Sequence, residues 1–120
     1  MEHDTIPSQD DIIKFEEQNN VHLTEKYKQF LLKYGGVFFG YANLYSMDKD
    51  SNFYILNYNR IPLTNTLYIA DNGCGDYYAL NIVDTKCQDA IIFYEHDTGL
   101  LSDTKFSDIF EYFVNVGLKI

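Results

Sequence analysis

Leu23-Thr24-Glu25-Lys26-Tyr27-Lys28-Gln29-Phe30-Leu31-Leu32-Lys33-Tyr34-Gly35-Gly36-Val37-Phe38-Phe39-Gly40-Tyr41 holds the change of character that decides the fold. Thr24-Glu25-Lys26 reads as a helix start. Tyr27, Phe30, Leu31 and Tyr34 then recur at i, i+3, i+4 and i+7, which is one buried helical face. Gly35-Gly36 stops that helix, because a helix end commonly needs the left-handed backbone that glycine adopts without strain. Beyond it the residues turn aromatic and β-branched in short runs, Val37–Tyr41, Asn43–Met47 and Phe53–Tyr58, which read as strands. Met47-Asp48-Lys49-Asp50-Ser51-Asn52 is a polar loop between them.

Working outward, Ser8 caps an earlier helix, and Asp10 and Asp11 follow where the helix dipole favours negative charge. Ile12, Ile13 and Phe15 supply its apolar side, and Gln18-Asn19-Asn20 ends it. On the other flank, Leu67–Asp71, Asp76–Val83 and Ala90–Glu95 read as further strands. The strands stand too close together for crossover helices, so the sheet is expected to be mainly antiparallel. Phe106-Ser107-Asp108 opens a third helix with Ile109, Phe110, Phe113 and Val114 on its apolar side, and Gly117 ends it. The class is α+β, with about six strands packed against two N-terminal helices and one C-terminal helix. No repeat or linker interrupts residues 1–120, which suit one domain.

The composition narrows the function. Eleven Tyr and nine Phe without a Trp argue against disorder and suit a binding surface, although packing accounts for most individual tyrosines. The formal charge is −9, and it is unevenly placed. Nine acids and only two bases lie between Asp71 and Glu111, so seven of those nine net negative charges fall there. Such a field repels nucleic acid and anionic membrane and attracts basic proteins. Cys74 and Cys87 form neither a Cys-x-x-Cys pair nor a zinc spacing. With no signal-peptide pattern at the start and no long apolar run, the expected setting is cytoplasmic with reduced thiols.

Asp71-Asn72-Gly73-Cys74-Gly75-Asp76 is the stretch that most resembles an active site. Its glycines permit positive φ and close backbone approach, while Asp71 and Asn72 favour turns closed by their own side chains. Two readings stand side by side. In one, a rigid loop presents Asp71, Asp76, Tyr77 and Tyr78 to a partner; in the other, the two acids only tie the turn together. No Gly-Lys-Ser/Thr follows, so a phosphate loop is not expected. Cys74 is expected to be a small buried residue rather than a nucleophile served by His96. Glu95 and Asp97 alternate with His96, so a strand there would place the acids on one side and the imidazole on the other. That arrangement disfavours a metal site, and no metal or cofactor is expected. His3 falls in a terminus expected to lack order, and His22 in a helix–helix connection. Asp48 and Asp50 lack the glycine and glutamate of an EF-hand.

Four segments in this order are similar to the SUKH superfamily, which includes the yeast cell-wall assembly regulators. They are Ile12–Glu17; Leu23–Gly36; Tyr68–Leu80 with its Asp71-Asn72-Gly73-Cys74-Gly75-Asp76 turn; and Ile92–Asp97 together with the Phe106–Phe113 helix. The second and third are the specific ones, and the stretch from Val37 to Pro62 matches only in being rich in strands. The resemblance implies a twisted, mostly antiparallel sheet packed on the helices. It also implies an immunity protein of bacterial type, one that binds and neutralises a polymorphic toxin domain, often a nuclease or deaminase. On this reading Asn72, Gly73, Cys74 and Gly75 are a structural turn. Asp71, Asp76, Tyr77, Tyr78, Glu95 and Asp97 are the candidate contacts with a basic toxin domain, and no residue is catalytic. The alternatives are a regulatory protein-interaction or small-ligand-binding module without a toxin partner, and a metal-dependent hydrolase built on Asp71, Asp76, Glu95 and Asp97.

Overall fold

The computed structural model describes the backbone of residues 2–3 and residues 5–119 in full. Ser8 caps α1 (Gln9–Asn19) through a reciprocal pair in which its hydroxyl accepts from the Asp11 amide and Asp11 accepts from the Ser8 amide. Asn20 closes that helix in the left-handed region at φ 51°. Ile12 and Phe15 are buried, whereas Ile13, expected to join them, is 47% exposed. Ile12 and Phe15, three apart, share the inner face, and Ile13 lies one step round the helix towards solvent. Thr24 caps α2 (Glu25–Tyr34), whose Tyr27, Phe30 and Leu31 are buried, with Tyr34 half-buried beside them.

Seven strands follow one another as an antiparallel meander: β1 (Glu2–His3), β2 (Val37–Phe38), β3 (Asn43–Leu44), β4 (Thr66–Asp71), β5 (Tyr77–Val83), β6 (Lys86–Glu95) and β7 (Leu100–Asp103). The α+β class and the three helices match the expectation. His3, expected to lack order, has its backbone paired opposite Val37. β2 and β3 are shorter than their aromatic runs, because Gly40, at φ 86°, turns the chain between them. Phe53–Tyr58 is not a strand. Ile55–Tyr58 forms a 3-10 turn, and the Asn59 side chain, not a ladder strand, bonds both the amide and the carbonyl of Tyr68. β6 begins four residues before the expected Ala90, since the tight Asp84-Thr85 turn, with both residues at positive φ, joins it directly to β5. β7 was not anticipated: Leu100-Leu101-Ser102-Asp103 shows no alternation, and all four residues are exposed.

The main core lies between the helices and one face of the central strands, where Leu67, Leu80 and Ile91 stand in register. α3 (Ile109–Tyr112) runs into a π-turn at Phe113–Gly117, and together they close the core with Ile109, Tyr112 and Phe113. Val114, expected on that apolar side, is 38% exposed. Asp108 caps α3 and reaches the ammonium of Lys26 at 3.0 Å, which fastens the last helix to α2. Phe30 meets Phe113 edge to face at a centroid distance of 5.1 Å across the same seam. Pairing also secures the α1–α2 connection, since the His22 amide donates to Thr85 and its carbonyl accepts from Cys87.

Candidate functional site

The Asp71–Asp76 turn is tied together by its own side chains and fastened to its neighbours by the same carboxylates. Asp71 ends β4, and its carboxylate accepts from Asn43 Nδ2 at 3.0 Å, the Tyr45 hydroxyl at 2.7 Å and the Gly73 amide at 3.0 Å. Those bonds join β3, the residue after it and the turn itself. Burial and the Asp71 bond together push the Tyr45 phenol well above its ordinary range, so it stays a donor. Asn72 Oδ1 accepts from the amides of Cys74 and Asp76, and its Nδ2 donates to Asp76 Oδ2. Gly73 and Gly75 both have positive φ, and a Cβ on Gly73 would run into the Gly40 carbonyl oxygen. The turn therefore depends on glycine for its shape and for its close approach to the Gly40 turn.

Asp76 then carries the loop across to the end of β6. Its Oδ1 accepts from the His96 amide at 3.0 Å and lies 2.7 Å from the imidazole Nδ1, and the ring's Nε2 lies 3.0 Å from Asp97. The expected separation of His96 from the acids does not occur. β6 ends at Glu95, and residues 96–99 form a turn closed by the Gly99 amide on the Glu95 carbonyl, so strand alternation no longer applies. The bond to the His96 amide, then the Asn72 and His96 side chains, hold the Asp76 carboxyl below its usual range, while Asp76 holds the imidazole above its own.

The tyrosines divide by strand alternation. Tyr78 faces the core, 4.5 Å between centroids from Tyr112 and 5.0 Å from Phe93. Tyr77 faces the other way, stacked on Tyr68 at 4.8 Å, with Tyr94 5.8 Å from Tyr68 and 6.2 Å from Tyr77. These three rings lie on the face of the sheet opposite Leu67, Leu80 and Ile91. Tyr94 pairs with Tyr77 on one side and with the half-exposed Leu101 on the other. Glu95, which alternates with Tyr94 and so faces the other side of β6, and Asp97, in the turn after it, are both exposed, the Asp97 side chain to 78%. The structure thus leaves Tyr77 in a half-buried tyrosine row with Asp97 in the turn after β6, puts Glu95 on the other side of that strand, ties Asp71 and Asp76 into the turn, and points Tyr78 inward. Tyr68 and Tyr94 escaped the sequence reading, because only the strand register brings them beside Tyr77.

Cys74 is exposed at the tip of the turn, contrary to the expectation that it is buried, since the glycines on either side hold the chain away from the core. Cys87 is the buried thiol, and burial pushes it up to about 12. Among the described residues, no group of three or more His, Cys, Asp or Glu side chains is placed to hold a metal ion. Nor is any helix among them long and apolar enough to cross a membrane.

A model of the SMI1 / KNR4 family (SUKH-1) matches residues 6–115, from the start of the first helix to the π-turn. The chain belongs to that family. SUKH domains are protein-interaction modules, and a half-buried tyrosine row on a tightly tied scaffold accords with that class. A crystal structure of a protein from Pseudomonas syringae pv. tomato shares the SUKH-1 chain's fold with a TM-score of 0.73, at 17% identity over 97% of this chain and 86% of that one. No curated protein matches the sequence.

Proposed function

We propose that this SUKH-1 chain is an immunity protein that binds and neutralises a basic toxin domain, probed first by the face bearing Tyr68, Tyr77 and Tyr94. The observation that carries the reading is that face itself: three contacting rings on the side of the sheet opposite the main core, with the exposed Asp97 in the turn that follows Tyr94 and Glu95. Rigid aromatic rings give large contact area at small entropic cost, and a rim of one sign steers a partner of the other. Asp76 serves by holding the loop, and Tyr78 by packing against α3. Inhibition is by occlusion: a basic nuclease or deaminase domain loses its substrate path once this acidic surface covers it. No catalytic step is assigned to the chain, and the reading places its action in the cytoplasm.

The test is co-expression with the toxin domain encoded beside its gene. Growth is restored by the native chain, and less so by Tyr77→Ala with Tyr94→Ala. A neighbouring toxin whose lethality the native chain leaves untouched overturns the reading.

A further inference from the structure

Beside the tyrosine row, the Gly40 turn and the Asp71–Asp76 turn enclose a hollow of about 360 Å³ lined by Gly40, Asn43, Phe53, Asp71, Gly73, Gly75 and Tyr77. Its composition is selective. One carboxylate, one amide and two aromatic rings face it, with no Lys or Arg in its lining. Three of the seven lining residues are glycine, all at positive φ, and a Cβ on Gly40 would meet nothing within 4 Å, so that side is open space. The nearby imidazole of His96, behind Gly75, is occupied by Asp76 and Asp97.

The carboxylate is already oriented. Asn43 and Gly73 donate to Asp71 Oδ1, while Oδ2 takes the Tyr45 hydroxyl alone, which leaves acceptor capacity on Oδ2. Phe53 is backed by Phe38 at 4.5 Å, and Tyr77 by Tyr68 at 4.8 Å, so both rings are held before anything arrives. A fixed carboxylate beside fixed aromatic rings is the environment in which a planar guanidinium gains both a charge-assisted hydrogen bond and cation–π attraction.

We infer that this hollow is a socket for one arginine side chain of a basic protein partner, with Asp71 as its counter-ion and Phe53 and Tyr77 as its aromatic walls. The inference rests on the proposed basic partner and names the group by which that partner is anchored. It also explains why three donors, from Asn43, Tyr45 and Gly73, converge on a single carboxylate.

The test uses the full chain, isotope-labelled for NMR, and Nα-acetyl-arginine amide as probe, with the uncharged isostere Nα-acetyl-citrulline amide beside it at equal ionic strength. The arginine probe is expected to shift the amides of Gly40, Gly73, Gly75 and Tyr77 saturably, and the citrulline probe to leave them in place. Tyr77→Leu weakens arginine binding by roughly two- to thirtyfold, the range of a lost cation–π contact. Asp71→Asn abolishes it; should that variant fail to fold, Phe53→Leu gives the second reading, with a loss like that of Tyr77→Leu. Equal shifts from both probes, shifts confined to other amides, or full affinity in Tyr77→Leu overturn the socket. The probe contains no toxin, so the two readings fail separately: a chain that captures its basic toxin domain yet ignores the arginine probe loses the socket and keeps the neutralising function.

Discussion

His96 is joined to Asp76 twice through one oxygen, its amide donating at 3.0 Å and its ring Nδ1 lying 2.7 Å away. Twenty residues separate the two in sequence, and the pair is what locks the Asp71–Asp76 turn to the turn that follows β6. Asp97 sits on the far ring nitrogen, and Glu95 adds to the negative field. All three acids favour the protonated imidazole.

That arrangement makes the lock pH-dependent in a defined direction. The folded-state pKa of His96 is raised by its Asp76 bond, so the charged pair is fully present below the ordinary histidine value near 6.5. It is lost as pH rises through the raised value. The Asp76 carboxyl is lowered, so its contribution is present above the ordinary aspartate range and disappears only in strong acid. An NMR titration of the His96 ring should therefore give a midpoint above that of a free histidine, and Asp76→Asn should bring it down. A midpoint that Asp76→Asn leaves unmoved would contradict the pairing.

Gly73→Ala tests the turn. The added methyl meets the Gly40 carbonyl oxygen, and φ is +78°, where L residues are strained. A loss of about 1–3 kcal/mol is expected in urea unfolding. Gly99→Ala is the comparison, since its Cβ meets only the Tyr94 hydroxyl at 3.9 Å, which is ordinary contact. Its cost comes from positive φ alone and should be the smaller of the two.

Much of this is legible in the amino-acid sequence. Ser8, Thr24, Asn20 and Gly35 mark helix ends because capping is local chemistry between residues a few positions apart. The Asp71–Asp76 turn was visible as glycines set among Asx residues for the same reason. What the sequence hid is non-local. Tyr68, Tyr77 and Tyr94 lie on three strands, and their contact depends on registers that include a shift between Tyr68 and Ala70. Phe53–Tyr58 has strand composition, yet its pairing stops at a single bridge between Tyr54 and Ser46 before the chain turns at Ile55, and Asn59 takes the backbone groups of Tyr68. β7 has no pattern of its own and exists because the 96–99 turn folds it back onto β6.

Two tyrosines are expected to be dispensable as phenols. The hydroxyls of Tyr27 and Tyr112 are buried without a hydrogen-bond partner among the described residues, and burial pushes both phenols far above their ordinary range. A buried polar group without a partner costs about 1–3 kcal/mol. Tyr27→Phe and Tyr112→Phe keep the rings that pack the core, so thermal unfolding should be unchanged or shifted upward. A fall of more than about 1 kcal/mol in either variant would mean that its hydroxyl has a stabilising contact.

The tyrosine face yields the last prediction. Tyr77 stacks on Tyr68 on the outer side and Tyr94 tilts against both, while Tyr78 points into the core, so neighbouring tyrosines should fail in different ways. Tyr94→Ala should keep the fold and weaken a toxin complex by about 2 kcal/mol, as central aromatic anchors do. Tyr78→Ala should instead cost about 3–5 kcal/mol of folding stability, since it removes a ring packed against Tyr112 and Phe93. Glu95→Lys with Asp97→Lys, both exposed, should slow association and flatten its salt dependence with little change in unfolding. Measured together by surface plasmon resonance and denaturant melts, the three variants separate anchor, core and steering. A Tyr94→Ala variant that binds as tightly as the native chain would move the interface off this face.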